Sequence, residues 1–318
     1  MIEARFQSAA DLLHTWRDDV LSCKQPTLYP VGSGELATIE IGPGLVTLLG
    51  GAPGAGKTAL TMQWVVDSLI ASPGLRALVL NVEMSSSTLL DRQLARLADI
   101  DLTLIRRRRL AVEHSQAIVR GMQALEDLAE RLAFVRPPFD LGNVAASADA
   151  FKAGLIVLDY IQRVGSHGDH GDRRGAVSET MDYLRQFAEG GFAIIVVAAL
   201  ARSKDAKGRS SYSDGLSLAS FRETSELEYG ADDAFILAPT DGAKSEGEGS
   251  RRVVLKHLKS RHGETKDINL TFDRRHQRFS SAGPTEPSKQ ADSDKLRATL
   301  RDQWDSTSAA PDDDEVDS

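Results

Sequence analysis

Cysteine is almost absent from this sequence of 318 residues, in which Cys23 stands alone. A single cysteine excludes an intramolecular disulfide and a zinc site built from several cysteines. A reactive thiol at Cys23 is one interpretation, and an ordinary cysteine without a chemical role is the commoner one. Stability must then come from the burial of apolar side chains. A hydrophobic content of 41% is enough for one large core or two modest ones.

Long apolar runs are absent as well. No stretch of 18 or more apolar residues occurs, and Met1 is not followed by a basic and then apolar leader. A transmembrane helix needs such a stretch, and a secretory signal needs such a leader. We therefore predict a cytoplasmic protein with no membrane partner.

Negative charge is in excess, but it is concentrated near the C-terminal end. The formal net charge is −8, and residues 283–318 hold ten acidic and four basic residues, which leaves only −2 for residues 1–282. A nearly neutral body does not exclude nucleic acid as a partner. We predict that the acidic tail is disordered. It either solubilises the chain, imitates DNA or recruits a partner protein.

Residues 51–58 contain the phosphate-loop pattern GxxxxGK[ST], which ends in Lys57 and Thr58. The loop follows the apolar run 45–49, expected to be a buried strand, and precedes a segment of helical composition over 59–66. In that setting backbone N–H groups and the helix N-terminus bind a polyphosphate, Lys57 reaches the β- and γ-phosphates, and Thr58 helps to hold Mg²⁺. We predict that a nucleoside triphosphate and Mg²⁺ bind here, with contributions from Gly51, Ala52, Pro53, Gly54, Ala55, Gly56, Lys57, Thr58 and Ala59; the family resemblance given below makes the nucleotide ATP.

Two carboxylates stand at the ends of predicted strands. Asp159 ends the apolar run 154–158, which is typical of a Walker B strand whose carboxylate holds Mg²⁺ through its water shell. Glu83 follows the predicted strand 76–82 and is placed to activate a water molecule. The residues alone leave a second interpretation of Glu83, as an acidic residue near the N-terminus of a helix over 88–97 that Ser85 or Ser86 caps.

The pattern of elements predicts three regions. Residues 1–30 hold one amphipathic helix, Ala9–Leu21, which either covers its own core or packs on a neighbouring subunit. Residues 31–282 alternate apolar strands with helices, as in an α/β domain with a mostly parallel central sheet. Residues 283–318 form the acidic tail. Inside the domain we expect a long amphipathic helix over 112–132, a helix over 178–189, strands over 133–136, 192–200 and 234–238, and a C-terminal β-hairpin from 252–256 and 268–272.

Several motifs, in order along the chain, are similar to those of one family. The sequence resembles the C-terminal ATPase domain of DnaB-type replicative helicases over about residues 30–282. The matching segments are the phosphate loop 50–60, residues 81–85 (family "LEMS"), 158–162 ("IDYLQ"), 218–228 ("LSDLRESGAIE") and 259–263 ("KQRNG").

The resemblance implies a RecA-like P-loop NTPase core with a mostly parallel central sheet flanked by helices. It makes Glu83 the catalytic base, and it implies that Lys259 and Arg261 reach the γ-phosphate held by the neighbouring subunit of a homo-oligomer, expected to be a hexamer. Two loops would line a central channel for single-stranded DNA, with Arg173, Arg174, Lys204, Lys207 and Arg209 as the DNA-binding candidates. The basic composition of 202–212 suits a nucleic-acid backbone, although a solvated surface loop has the same composition. A loader or replication partner protein is also implied.

Two departures from the family pattern open a second interpretation. The family's sensor glutamine corresponds to Ala199, whose side chain cannot hydrogen-bond a γ-phosphate. The family's N-terminal helical domain, which meets primase, has no counterpart in this sequence. This favours a specialised relative or a mobile-element helicase over a housekeeping one. The sequence thus predicts either an ATP-dependent DNA helicase or a RecA-like ATP-dependent DNA-binding or assembly protein that does not unwind.

Overall fold

The computed structural model describes residues 7–165, 173–201, 203–204, 210–211, 216–221, 226–240, 249–281, 296–301 and 303–304. The chain divides into two compact units, residues 28–285 and a unit formed by residues 1–27 and 286–318. In the described parts of the chain, no helix has both the length and the apolar character that crossing a membrane requires.

The unit 28–285 is built on one sheet of nine described strands. Its order is β11-β10-β9-β8-β1-β5-β4-β2-β3, and β6 and β7 form a separate two-stranded ribbon. The strands are β1 (Val46–Gly51), β2 (Ala77–Asn81), β3 (Leu132–Phe134), β4 (Leu155–Asp159), β5 (Ala193–Ala199), β6 (Ser203–Lys204), β7 (Ser210–Ser211), β8 (Asp233–Pro239), β9 (Ser250–Ser260), β10 (Ile268–Asp273) and β11 (Arg278–Ser281).

The strands from β3 to β8 in that order are parallel. Every residue of β1 and β4 is buried, as is every residue of β5 except the last. Strands covered on both faces are expected to be continuous apolar runs. This confirms the predicted α/β class with a mostly parallel central sheet.

The C-terminal strands extend the sheet in the antiparallel sense. β9 pairs with β8, β10 with β9, and β11 with β10. The predicted hairpin is therefore present as β9 and β10. A further strand, β11, was not expected from the sequence; its pairing with β10 places Phe279 opposite Phe272, with the two rings stacked at 4.1 Å.

Helices cover both faces of the sheet. The helices are α1 (Ala9–Leu21), α2 (Lys57–Ala71), α3 (Ser86–Ala98), α4 (Leu102–Arg106), α5 (Ser115–Glu126), α6 (Leu141–Phe151), α7 (Arg173–Glu189) and α8 (Glu226–Gly230). Residues 296–301 and 303–304 are also helical. Leu60, Trp64 and Val65 of α2 lie in the core on one face, whereas side chains of α6 and α7 lie in the core on the other. This burial holds the loop between β1 and α2 rigidly at the carboxyl edge of the sheet.

The prediction of one long helix over 112–132 is wrong. The structure has a 3-10 turn at Val112–His114, then α5, then a second 3-10 turn at Ala129–Arg131. Leu128 is buried in the core beneath the sheet, and the chain pairs with β2 from Leu132 onward. The helix ends early because strand pairing and the burial of Leu128 outweigh the amphipathic pattern.

In the other unit, α1 has the predicted bounds. Ser8 caps it, and a reciprocal hydrogen bond to Asp11 completes a capping box. No residue of this described helix is buried, and Leu12, Leu13 and Trp16 are about half exposed or more. Both roles considered for this helix stay predictions.

Candidate nucleotide-binding site

The loop between β1 and α2 has the backbone of a phosphate loop. Gly56, the N-cap of α2, has a φ of 106°, in the left-handed region. A Cβ at this position would lie 2.9 Å from Cζ of Phe279 and 3.0 Å from Cε1 of Phe272. Only glycine satisfies both the backbone angle and this close approach. The Arg251 guanidinium steadies the loop from β9 by donating to the carbonyl oxygen of Ala55 at 2.6 Å.

Lys57 begins α2 and extends back over the loop. Its Nζ donates to the carbonyl oxygens of Gly51 at 2.7 Å and Ala52 at 3.2 Å. Burial lowers the pKa of Lys57, while the nearby Asp159 and Glu83 carboxylates oppose that shift. A partly desolvated ammonium group at a helix N-terminus is a strong site for a phosphate oxygen.

Thr58 and Asp159 meet although they are 101 residues apart in sequence. The Thr58 hydroxyl donates to Oδ2 of Asp159 at 2.6 Å, and the Asn81 amide donates to the same oxygen at 2.7 Å. Burial raises the pKa of Asp159, and the hydrogen bond from Thr58 and the charge of Lys57 lower it in part. A hydroxyl and a carboxylate at this distance form the hard oxygen donor set that suits Mg²⁺.

Asn81 also determines where Glu83 lies. Its Oδ1 accepts from the backbone N–H of Met84 at 2.7 Å and of Glu83 at 3.1 Å. Asn81 is paired with Asp159 across β2 and β4. One side chain therefore ties the Glu83 turn to the carboxylate that is the magnesium candidate. Sequence analysis missed this residue, although a polar residue at the end of an apolar strand was a usable signal.

These residues surround one cavity of about 390 Å³. Lys57, Thr58, Glu83 and Asp159 all line it, together with loop residues Pro53, Gly54 and Gly56. The structure thus brings together the predicted phosphate-binding, metal-binding and water-activating groups. Ser85 caps α3 by accepting from Thr88 N–H at 3.3 Å, so Glu83 also lies just before the N-terminus of that helix, and both interpretations of Glu83 stay predictions.

Three further residues with a guanidinium or amide side chain line the cavity and were not predicted. Arg92 enters from α3, and Arg274 and Gln277 enter from the turn between β10 and β11. The Arg92 Nε is buried and has no hydrogen-bond partner within the described part of the chain. Burial lowers the pKa of Arg92, and the neighbouring Arg106 adds to that shift. A partly buried guanidinium that lines the same cavity as Lys57 makes the cavity suited to a polyanion.

Sequence signals for these residues are uneven. Arg92 is predictable in part. It follows the cap Ser85 by seven residues and Thr88 by four, and this spacing places all three residues on one face of α3. Arg274 and Gln277 reach the cavity only because β10 and β11 extend the sheet past the phosphate loop. No local pattern indicates that.

The remaining predicted catalytic residues, Lys259 and Arg261, lie at the other edge of the sheet. Lys259 Nζ donates to the carbonyl oxygens of Glu228 at 2.6 Å and Ala231 at 2.7 Å. Arg261 pairs with the buried Asp232 at 2.7 Å. Burial, together with the charge of Arg261, lowers the pKa of Lys259.

The position of Asp232 shows how far these two residues are from the cavity. Asp232 Oδ2 accepts from the backbone N–H of Val46, the first residue of β1, at 2.8 Å. The phosphate loop begins at the opposite end of that six-residue strand, roughly 17 Å away. Lys259 and Arg261 therefore do not reach the cavity of their own chain.

The structure describes no side chain of the five DNA-binding candidates. Arg173 and Arg174 begin α7 and Lys204 lies in β6, but only their backbones are described. Lys207 and Arg209 fall outside the described residues.

Comparisons with known proteins agree with this geometry. A family profile, DnaB-like helicase C terminal domain, matches residues 38–281. A replicative DNA helicase DnaB of Leifsonia xyli subsp. xyli (strain CTCB07) is 24% identical over 265 residues, which are 81% of this chain and 57% of that protein. The chain thus spans little more than half the length of this curated relative.

Solved structures share the fold at lower identity. One, described as an ATPase domain, superposes with a TM-score of 0.72 at 19% identity, covering 87% of this chain and all of that one. A DnaB-like replicative helicase, described with its primase interactions, gives a TM-score of 0.71 at 19% identity, covering 87% of this chain and 68% of that one. The predicted RecA-like core is confirmed. Because the matched profile spans most of its residues, the chain belongs to the DnaB-like helicase C-terminal domain family.

Proposed function

We propose that this chain is an ATP-hydrolysing motor that moves along single-stranded DNA as a ring-shaped homo-oligomer, expected to be a hexamer. The observation that carries the proposal is the convergence of Lys57, Thr58, Glu83 and Asp159 on one cavity. These groups are the minimum needed to hold a triphosphate and activate a water for attack on it. Membership of a helicase family supports DNA as the substrate of that work.

In the proposed reaction Glu83 orients and polarises the attacking water. Its exposed carboxylate faces the cavity from the β2 end, and Asn81 holds its backbone. Lys57 exchanges its bonds with the Gly51 and Ala52 carbonyl oxygens for bonds with β- and γ-phosphate oxygens. Thr58 and Asp159 hold Mg²⁺, which neutralises charge on the phosphates when bound. Arg92 adds a positive charge to the same cavity.

The proposed ring follows from the position of Lys259 and Arg261. Both are cations, yet they lie at the opposite edge of the sheet from the cavity of their own chain. A second subunit in head-to-tail contact would bring them to the phosphates of its neighbour. Such heterologous contacts form a ring where the rotation between subunits closes and a filament where it does not, and we propose the ring. Arginine is suited to the charge that develops on a transferred phosphoryl group.

For DNA contact we retain the proposal made from the sequence. Arg173, Arg174, Lys204, Lys207 and Arg209 would bind the phosphate backbone of a single strand in the ring channel. A loader or replication partner protein stays part of the proposal and rests on membership of the family.

A second candidate function is an ATP-dependent DNA-binding or assembly protein without unwinding activity. The specific observation in its favour is Ala199, which lines the cavity with a side chain that cannot hydrogen-bond a phosphate. In that case ATP would control assembly, and hydrolysis would not be converted into movement.

Two measurements distinguish the motor from the assembly protein. The first is steady-state ATP hydrolysis with and without single-stranded DNA, and the second is strand displacement on a forked duplex. The motor predicts hydrolysis stimulated by the strand and ATP-dependent displacement. The assembly protein predicts ATP-dependent oligomers on DNA without displacement. Hydrolysis that is indifferent to DNA would remove the motor proposal.

A further inference from the structure

The end of β5 extends beyond the strand beside it. β4 pairs with β5 as far as Asp159 opposite Val197, and β5 continues to Ala199. On its other side Ala199 pairs with Gly51. The Ala199 N–H and carbonyl oxygen, which point toward β4, therefore have no strand to bond to. Buried backbone groups need a hydrogen-bond partner of some kind.

Gln162 supplies that partner with its side chain. Its Oε1 accepts from the Ala199 backbone N–H at 3.1 Å, and its Nε2 donates to the Ala199 carbonyl oxygen at 3.4 Å. Only one orientation of the carboxamide satisfies both bonds. Gln162 is 9% exposed and sits on the 3-10 turn Ile161–Arg163, directly after β4. Its carboxamide thus acts as one more peptide unit of β4.

This contact joins two functional regions. Gln162 follows Asp159 by three residues, and Ala199 itself lines the nucleotide cavity. After Ala199 the chain leaves the sheet. An isolated β-bridge between Leu200 and Phe221 brings together the two ends of the segment 201–220, which we call its base. The Ala201 N–H donates to the Ser220 carbonyl oxygen at 2.9 Å at the same place.

We propose that Gln162 is a positioning residue that couples the nucleotide cavity to the base of the segment 201–220. A displacement of the Asp159 turn moves Gln162, and its two bonds to Ala199 transmit the movement to the end of β5. The consequence for DNA-stimulated hydrolysis rests on the proposed function, because it requires that this segment contacts DNA.

A matched control exists elsewhere in the fold. Gln63 of α2 makes the same two-bond pairing with the backbone of Phe279, accepting from its N–H at 2.8 Å and donating to its carbonyl oxygen at 2.9 Å. Gln63→Met removes the two side-chain hydrogen bonds to Phe279 in β11, and Gln162→Met removes the two side-chain hydrogen bonds to Ala199 in β5. Both variants are expected to lose thermal stability, so stability alone does not distinguish positioning from structure.

The deciding measurement is amide hydrogen exchange at Ala201 and Phe221 with and without Mg²⁺ and a non-hydrolysable ATP analogue. In wild type and in Gln63→Met, the analogue is expected to slow exchange at both amides by roughly tenfold. In Gln162→Met, that response is expected to vanish, with affinity for the analogue changed by no more than about twofold. An unchanged response in Gln162→Met, or an equal loss in Gln63→Met, overturns the proposal.

The DNA measurement is made beside it. In Gln162→Met the ratio of hydrolysis with single-stranded DNA to hydrolysis without it should fall by roughly tenfold, at an ATP KM within about twofold of wild type. If wild type shows no DNA stimulation, the motor proposal fails, and the exchange response still decides whether Gln162 couples the cavity to the segment.

Discussion

At the scale of single residues, the cavity is held together by shared oxygens. Oδ2 of Asp159 accepts from both Thr58 and Asn81, and Oδ1 of Asn81 holds the backbone of the Glu83 turn. Side chains fixed in this way need little reorganisation when a ligand binds, which is the main source of catalytic advantage in phosphoryl transfer.

The first prediction concerns Glu83. Glu83→Gln removes the carboxylate that accepts a proton from water but keeps the size of the side chain. We expect ATP hydrolysis to fall by about 10²–10⁴-fold with little change in nucleotide affinity. Turnover and equilibrium binding of a fluorescent nucleotide measure the two effects. The exposed Glu113→Gln should behave as wild type. Loss of nucleotide affinity in place of turnover would contradict the role as a base.

The second prediction concerns Gly56. Gly56→Ala introduces a Cβ at a φ of 106° and within 3.0 Å of the stacked rings of Phe272 and Phe279. We expect a loss of about 2–4 kcal/mol in the free energy of unfolding, together with loss of nucleotide binding. Urea denaturation measures the first. Gly74→Ala is the control, because a Cβ there meets no atom within 4 Å. A Gly56→Ala variant as stable as wild type would be inconsistent with this loop geometry.

At the scale of elements, the turn between β10 and β11 is fastened to the helices beside the cavity. The Arg275 guanidinium pairs with Asp101 at 2.8 Å, its carbonyl oxygen accepts from Leu102 N–H at 2.8 Å, and Arg278 pairs with Asp99 at 2.6 Å. The turn carries Arg274 and Gln277 into the cavity. The turn between β10 and β11 thereby adds residues 274 and 277 to a cavity whose phosphate loop lies more than 200 residues earlier in the sequence.

The third prediction uses Asp101, the N-cap of α4. Hydrogen bonds from Arg275 and Thr103 lower the pKa of this carboxyl. A lowered carboxyl pKa gives stability that is present above the ordinary aspartate value near 3.9 and is lost as the pH falls below it. Asp101→Ala should cost about 1 kcal/mol near neutral pH and nothing at acid pH.

Thermal unfolding of wild type and Asp101→Ala across this pH range measures the difference. The exposed Asp149→Ala serves as control. A difference that stays constant with pH would mean that the carboxylate charge does not contribute.

At the scale of the whole molecule, the length of the sheet separates the phosphate loop from Lys259 and Arg261. The phosphate loop lies at the carboxyl edge of β1, and the Arg261–Asp232 pair lies at the amino edge of the same strand. Arg185 also pairs with Asp232, at 2.6 Å, so a buried carboxylate keeps Arg261 in place. In the proposed ring, each subunit would contribute phosphate-binding groups on one side and the cations Lys259 and Arg261 on the other.

The fourth prediction tests this separation by mixing subunits. Lys57→Ala and Arg261→Ala should each abolish hydrolysis alone. In a one-to-one mixture about a quarter of interfaces combine an intact phosphate loop with an intact Arg261, and hydrolysis should return there. Turnover is measured after subunit exchange, with size exclusion to confirm that both variants still assemble. No recovery in mixed oligomers would indicate that Arg261 does not act between subunits.

The sequence determined the features that depend on neighbouring residues. The phosphate loop, the apolar strands and the carboxylates Glu83 and Asp159 at strand ends were all readable, because loop geometry and strand burial leave short-range patterns. The α/β class followed from the alternation of these patterns. The five matching segments, which include the phosphate loop, indicated the family.

Tertiary structure decided what lies between distant segments. The strand order β1-β5-β4-β2 places Asp159 beside Asn81 and puts Gln162 against Ala199. β11 and the turn before it bring Arg274 and Gln277 to the cavity, and the burial of Leu128 ends a helix that the amphipathic pattern would have continued. Each of these depends on which strands are neighbours. That choice is made by the burial of the whole core, and local patterns do not encode it.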